Sequence, residues 1–136
     1  GVFIDSKVSR PMLNLPSVAE DVRNQGMMRE YVVISLAING FVGDQEIAAM
    51  FDAIGPDHKI VLVTGHGPEN EHWIFDANAK IREVGASHQD QVRIAEWEPL
   101  AASHLENLAG DRTHPDGVGS GLYADEIVRA LNSFNQ

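Results

Sequence analysis

Runs of β-branched and aliphatic residues alternate along this chain with segments whose apolar positions recur every three or four residues. Tyr31 to Ile38 is nearly all apolar, which is how a strand buried on both faces reads. Asp44 then opens a segment in which Ile47, Met50, Phe51 and Ile54 fall at i, i+3, i+4 and i+7. That spacing predicts an amphipathic helix capped by Asp44 and stopped by Gly55-Pro56. Ile60 to Val63 predicts a second buried strand. A further helix is expected after Pro68, with Ile74, Ala77, Ile81 and Val84 on one stripe and Gly85 at its end. Val92 to Trp97 reads as another strand, and the closing helix carries Tyr123, Ile127, Val128, Leu131 and Phe134. Ahead of these lies Val2-Phe3-Ile4, a short strand candidate. Ser17 to Glu20, after Pro16, matches a capping box that starts a modest helix through Val18, Val22 and Met27-Met28.

Strands alternating with helices imply a mainly parallel sheet covered on both faces, a three-layer α/β/α sandwich. With no internal repeat, low-complexity tract or linker, residues 1–136 are expected to form a single domain.

Composition narrows the function. Ten basic against twenty acidic residues give a net charge of −10 with no Lys/Arg cluster, so nucleic acid and anionic membrane surfaces, which need concentrated positive charge, are not expected partners. The chain has no cysteine, which removes disulfides and thiolate metal sites and suits an extracytoplasmic domain. No run of about 18 apolar residues is present to span a bilayer. The first residue is Gly1 rather than Met, so the chain reads as a processed piece of something larger.

In open parallel sheets, ligands bind beyond the carboxyl ends of the strands. The segments expected there are Asn39-Gly40, Thr64-Gly65-His66-Gly67 and Asp111-Arg112-Thr113-His114-Pro115-Asp116-Gly117. Asp111, three residues ahead of His114 in a turn held by Pro115 and Gly117, can accept the imidazole Nδ1–H. That contact fixes the tautomer and leaves Nε2 free as a base toward a serine hydroxyl. An amide such as Asn39 can stabilise an oxyanion. Taken singly, Asn39-Gly40 is a common turn and Asp111 an ordinary turn residue beside an exposed His114. The weight comes from strand ends that should converge. His66 and His72 lack zinc spacing and a third ligand, and Gly65-His66-Gly67 lacks the rest of a dinucleotide fingerprint. No metal or cofactor is therefore expected. Trp73 and Trp97 are expected to fill the core or line a cleft rim.

The order Lys7-Val8-Ser9-Arg10, then Ala37-Ile38-Asn39-Gly40, then Asp111-Arg112-Thr113-His114-Pro115-Asp116-Gly117 before a helix containing Tyr123-Ala124 resembles the SGNH hydrolase superfamily. It looks most like the extracytoplasmic SGNH domains of membrane acyltransferases, including those that O-acetylate peptidoglycan. The resemblance implies a flavodoxin-like fold and an esterase or O-acyltransferase acting on acyl esters of cell-envelope glycans. It implies His114 as general base, Asp111 as its orienting partner, and Asn39 with the backbone N–H of Ser9 as oxyanion donors. The partners it implies are an acyl donor or acylated glycan and a membrane acyltransferase domain in the same protein.

The sequence departs from the family at the nucleophile, because it contains no Gly-Asp-Ser. One placement has the chain start after the family's first strand, with the nucleophilic serine outside it and this fragment inactive alone. The other makes Asp5-Ser6 the nucleophile block, with Ile4 in place of the glycine. A missing first strand would leave the Val2–Ile4 strand with an open edge, to be completed by another copy of the chain, an upstream chain or a rearranged N-terminus. The competing class is a non-catalytic α/β module that positions a substrate or partner. A response-regulator reading would want clustered acidic residues after the first strand, where Asp5 stands alone.

Overall fold

A computed structural model of the chain describes residues 30–35, 42–68, 71–108 and 115–135. Within them lie three strands, β1 (Tyr31–Ile34), β2 (Lys59–Val63) and β3 (Val92–Ala95), paired in parallel in that order. Four α-helices alternate with or follow them: α1 (Asp44–Ile54), α2 (His72–Ser87), α3 (Trp97–Ser103) and α4 (Gly117–Asn132). Short 3-10 turns occupy Leu105–Asn107 and Ser133–Asn135.

The pairing register explains how each face is covered. Val33, Val61 and Arg93 lie side by side, as do Ile34, Leu62 and Ile94. Side chains alternate faces with period two. Thus Ile34, Ile60, Leu62 and Val92 pack with Ile47, Met50 and Ile54 of α1 and Ala77, Ile81 and Val84 of α2. On the opposite face, Val61, Val63 and Ala95 pack with Trp97 and Ala101 of α3 and Ala130 of α4, flanked by Tyr123, Ile127 and Phe134. The result is the expected three-layer α/β/α arrangement. Every residue from Ile60 to Val63 is buried, as a central parallel strand requires.

Local chemistry accounts for the helix limits. Glu46 Oε1 accepts the Gly43 N–H at 2.9 Å, so Gly43 is the N-cap of α1 and Asp44, expected as the cap, is its first residue. Gly55, at φ 87°, ends α1 in a conformation that L side chains rarely adopt, with its N–H on Phe51 O at 2.8 Å. Asp116 caps α4 by accepting the Gly119 N–H at 2.8 Å.

Several sequence expectations change. β1 is not buried on both faces: Tyr31 is 37% and Val33 41% exposed, because among the described residues β1 pairs only with β2. Residues 36–38 of the expected strand lie outside the described residues, as do the Val2–Ile4 strand and the helix after Ser17. β3 stops at Ala95, and Trp97 opens α3. Pro99 is tolerated in the first turn of that helix, where its missing N–H has no intrahelical partner. Gly85 does not end α2. It lies inside the helix, where a Cβ would come 2.7 Å from Ile94 Cγ1.

Candidate active site

The carboxyl ends of the strands form a mouth whose described rim is Ser35 after β1, Thr64 to Pro68 after β2, and Glu96 to Glu98 after β3. The catalytic and oxyanion residues expected from sequence, His114, Asp111, Asn39 and Ser9, all lie outside the described residues. Their flanking anchors do not.

The anchors on either side of residues 109–114 are tightly built. Leu108 and Pro115 form an antiparallel bridge, and Asp116 N–H donates to Asn107 O at 2.8 Å. α4 starts immediately afterwards and lies against this bridge at Gly119, where a Cβ would sit 2.3 Å from Asn107 O and 2.9 Å from Pro115 Cβ. Pro115, which directly follows His114, is therefore fixed to both the preceding turn and the last helix.

A second anchor sits at the end of β1, four residues before Asn39. Ser35 Oγ and Tyr123 OH share a hydrogen bond at 2.5 Å. The Tyr123 ring meets Trp97 edge-on, with centroids 5.2 Å apart and planes at 71°, and Trp97 is only 3% exposed. Tyr123 thus links the ends of β1 and β3 from the middle of α4. Burial pushes its phenol pKa up, opposed in part by the hydrogen bond with Ser35.

The rim between β2 and β3 is held by a polar network centred on the buried Asn78 and Thr64. Asn78 of α2 is fully buried; its Oδ1 accepts the Gly65 N–H at 2.8 Å and its Nδ2 donates to Gly65 O at 2.7 Å and to Glu98. Thr64 Oγ1 accepts the Glu98 N–H at 3.0 Å. Arg82 reaches Glu96 at 3.1 Å and Glu98 at 3.2 Å. Behind this rim Glu126 accepts the Glu96 N–H at 2.6 Å and two bonds from Arg129, at 2.6 and 2.7 Å. The Arg129 bonds hold the Glu126 carboxyl below the ordinary carboxylate range; partial burial opposes this and the Glu96 N–H assists it.

Sequence reading missed this network and the Ser35–Tyr123 pair. The signal for Asn78 was available, since it is a polar residue on the apolar stripe of Ile74, Ala77 and Ile81. Tyr123 was assigned to the stripe of the closing helix without a partner for its hydroxyl. Trp97 fills the core as expected, whereas Trp73 is 40% exposed near the start of α2, on the mouth side of the sheet. Among the described residues no group of three or more His, Cys, Asp or Glu could hold a metal ion, and no helix is long and apolar enough to cross a membrane.

No family model matches the sequence. Proteins of Staphylococcus aureus strains MSSA476 and COL, which carry provisional O-acetyltransferase names, align with it at 28% identity over 130 residues. The alignment covers 94% of this chain and 21% of each relative, so the chain spans about a fifth of the length of these curated proteins. Among solved structures, the chain matches the C-terminal catalytic domain of Streptococcus pneumoniae peptidoglycan O-acetyltransferase A (OatA), which carries a methylsulfonyl adduct. The TM-score is 0.85 at 25% identity, over 99% of this chain and 82% of that one. A family 3 carbohydrate esterase from Talaromyces cellulolyticus shares the fold, with TM-score 0.71 at 19% identity over 92% of this chain and 68% of its own. The chain is an SGNH-like α/β domain built like the C-terminal catalytic domain of OatA.

Proposed function

We propose that this chain is part of an SGNH-type O-acyltransferase or esterase that moves acyl groups on cell-envelope glycans from an extracytoplasmic position, attached to a membrane acyltransferase domain of the same protein. The observation that carries this reading is the match to the OatA catalytic domain over 99% of the chain. In the implied double displacement, a serine hydroxyl attacks the acyl carbonyl as His114 Nε2 takes its proton. The oxyanion is held by the Asn39 amide and the Ser9 backbone N–H, and His114 returns the proton to the departing oxygen. A glycan hydroxyl or water then attacks the acyl-serine as His114 takes its proton, and His114 returns that proton to the serine oxygen as its ester bond to the acyl group breaks. Asp111 orients the imidazole throughout. The nucleophilic serine is assigned to residues outside this chain, because the sequence holds no Gly-Asp-Ser.

The anchors support this reading. The helix cap at Asp116 and the Leu108–Pro115 bridge fix the residue that follows His114, and the end of β1 that leads to Asn39 is tied to the same helix. A precise base and oxyanion donor need such rigid neighbours.

The test is hydrolysis of an activated acetyl ester by this chain, by the full-length protein and by full-length His114→Ala. Turnover by the full-length protein that His114→Ala abolishes is expected. An inactive full-length protein, or one indifferent to His114→Ala, would leave the second reading, a non-catalytic substrate-positioning module, which the absent Gly-Asp-Ser favours.

A further inference from the structure

We infer that Ser35 and Tyr123 form a positioning pair that ties the end of β1, from which the chain runs on to Asn39, to the helix that follows His114. This rests on the function proposed above and adds two residues to it. Ser35 is the last described residue before the connection that contains Asn39, and Tyr123 lies on the helix that begins three residues after His114. Their oxygens are 2.5 Å apart, at the short end for O–H···O bonds. The pair is accessible to solvent, so water or a backbone carbonyl could have served either hydroxyl. Here the partner is a side chain at the mouth, at the end of β1. Both hydroxyls carry a proton at neutral pH, so either can donate to the other.

Both ends of the pair are held firmly. The Tyr123 ring is set against Trp97, while α4 is seated at Gly119 on the Asn107 carbonyl and on Pro115. β1 is fixed by its register with β2 from Tyr31 to Ile34. Losing the hydroxyl contact should therefore release the strand end relative to α4 without unfolding either element. Ground-state binding of a small ester would change little, but alignment in the transition state would suffer.

The experiment measures kcat and KM for an activated acetyl ester with the full-length protein and its Tyr123→Phe, Ser35→Ala, Ser35→Thr and Tyr123→Phe/Ser35→Ala variants, each checked by thermal melting. We expect Tyr123→Phe and Ser35→Ala each to lower kcat about tenfold to a hundredfold, as misplacements of an ångström or less do, with KM within about twofold. The double variant should be no worse than the poorer single one, and Ser35→Thr, which keeps the hydroxyl, should restore most of kcat. Unchanged kcat in both single variants, or losses that multiply in the double, would overturn the pairing. A loss of kcat that only tracks a fall in melting temperature, or is shared with KM, would reduce it to a structural contact. If Tyr123→Phe does not fold, the Ser35 variants decide alone, and equal kcat for Ser35→Ala and Ser35→Thr overturns the inference. Should His114→Ala abolish turnover while the pair variants match wild type, only this inference fails. No turnover by the wild-type full-length protein overturns both.

Discussion

Replacing Gly119 with alanine should destabilise the fold, although Gly→Ala inside a helix ordinarily stabilises by about 0.5–1 kcal/mol. The added Cβ would stand 2.3 Å from Asn107 O and 2.9 Å from Pro115 Cβ, far inside ordinary van der Waals contact. Neither neighbour can swing away. One is a backbone carbonyl that also accepts the Asp116 N–H at 2.8 Å, and the other belongs to a proline ring. α4 must then lift, which strains its contact with the bridge, at about 1–3 kcal/mol for overpacking. It also weakens the Asp116 cap, worth about 1 kcal/mol. Set against the helix gain, the net loss is about 2–3 kcal/mol. For a chain of this size that lowers Tm by roughly 6–12 °C. Gly121, two residues along the same helix, has nothing within 4 Å of an ideal Cβ. Gly121→Ala should raise Tm by roughly 2–4 °C from the propensity gain alone. Melting followed by far-UV circular dichroism decides the matter, and a Gly119→Ala protein that melts at or above Gly121→Ala would refute the reasoning.

Other expectations follow from the polar network. Asn78→Ala leaves the buried N–H and carbonyl of Gly65 without their partner, so a loss of about 3 kcal/mol in urea unfolding is expected; a loss below about 1 kcal/mol would mean that the rim is held otherwise. The depressed pKa of Glu126 stabilises the fold above the ordinary carboxylate value of 4.5, and that contribution is lost as pH falls through the lower folded pKa. Glu126→Gln should thus cost about 1.5 kcal/mol at pH 7, with the two melting curves converging below pH 4.5; a constant difference down to pH 3 would contradict the assignment. Tyr123 should ionise late in an ultraviolet alkaline titration, and Tyr123→Phe should remove that transition while the fold persists. A late transition retained in Tyr123→Phe would show that it belongs to another group.

Much of the architecture was legible because it rests on periodicity. The β2 run Ile60–Val63 and the stripes of α1 and α2 bury the side chains that their spacing marks. Boundaries were less so. α3 begins at the end of a segment, Val92 to Trp97, that suits a strand, and only the third dimension shows that Trp97 packs against Tyr123. Exposure of Tyr31 and Val33 depends on what lies beside β1, which a strand's own residues do not encode. The site divides in the same way. A motif of fixed spacing such as Asp111 to His114 can be read along the chain, but Ser35 with Tyr123 and Asn78 with Gly65 are pairs far apart in sequence. Their meaning appears only when the fold closes the distance.

The bridge between Leu108 and Pro115 has one more consequence. It joins the ends of a six-residue stretch, whose closure would otherwise oppose folding by roughly 1.6 kcal/mol plus a constant. The hydrogen bond from Asp116 N–H to Asn107 O and the close seat of Gly119 against Asn107 and Pro115 help to offset that cost. Changes to the two posts, Leu108 and Pro115, should therefore be poorly tolerated by the fold itself, whereas changes to Asp111 or His114 between them should be read out in the proposed chemistry.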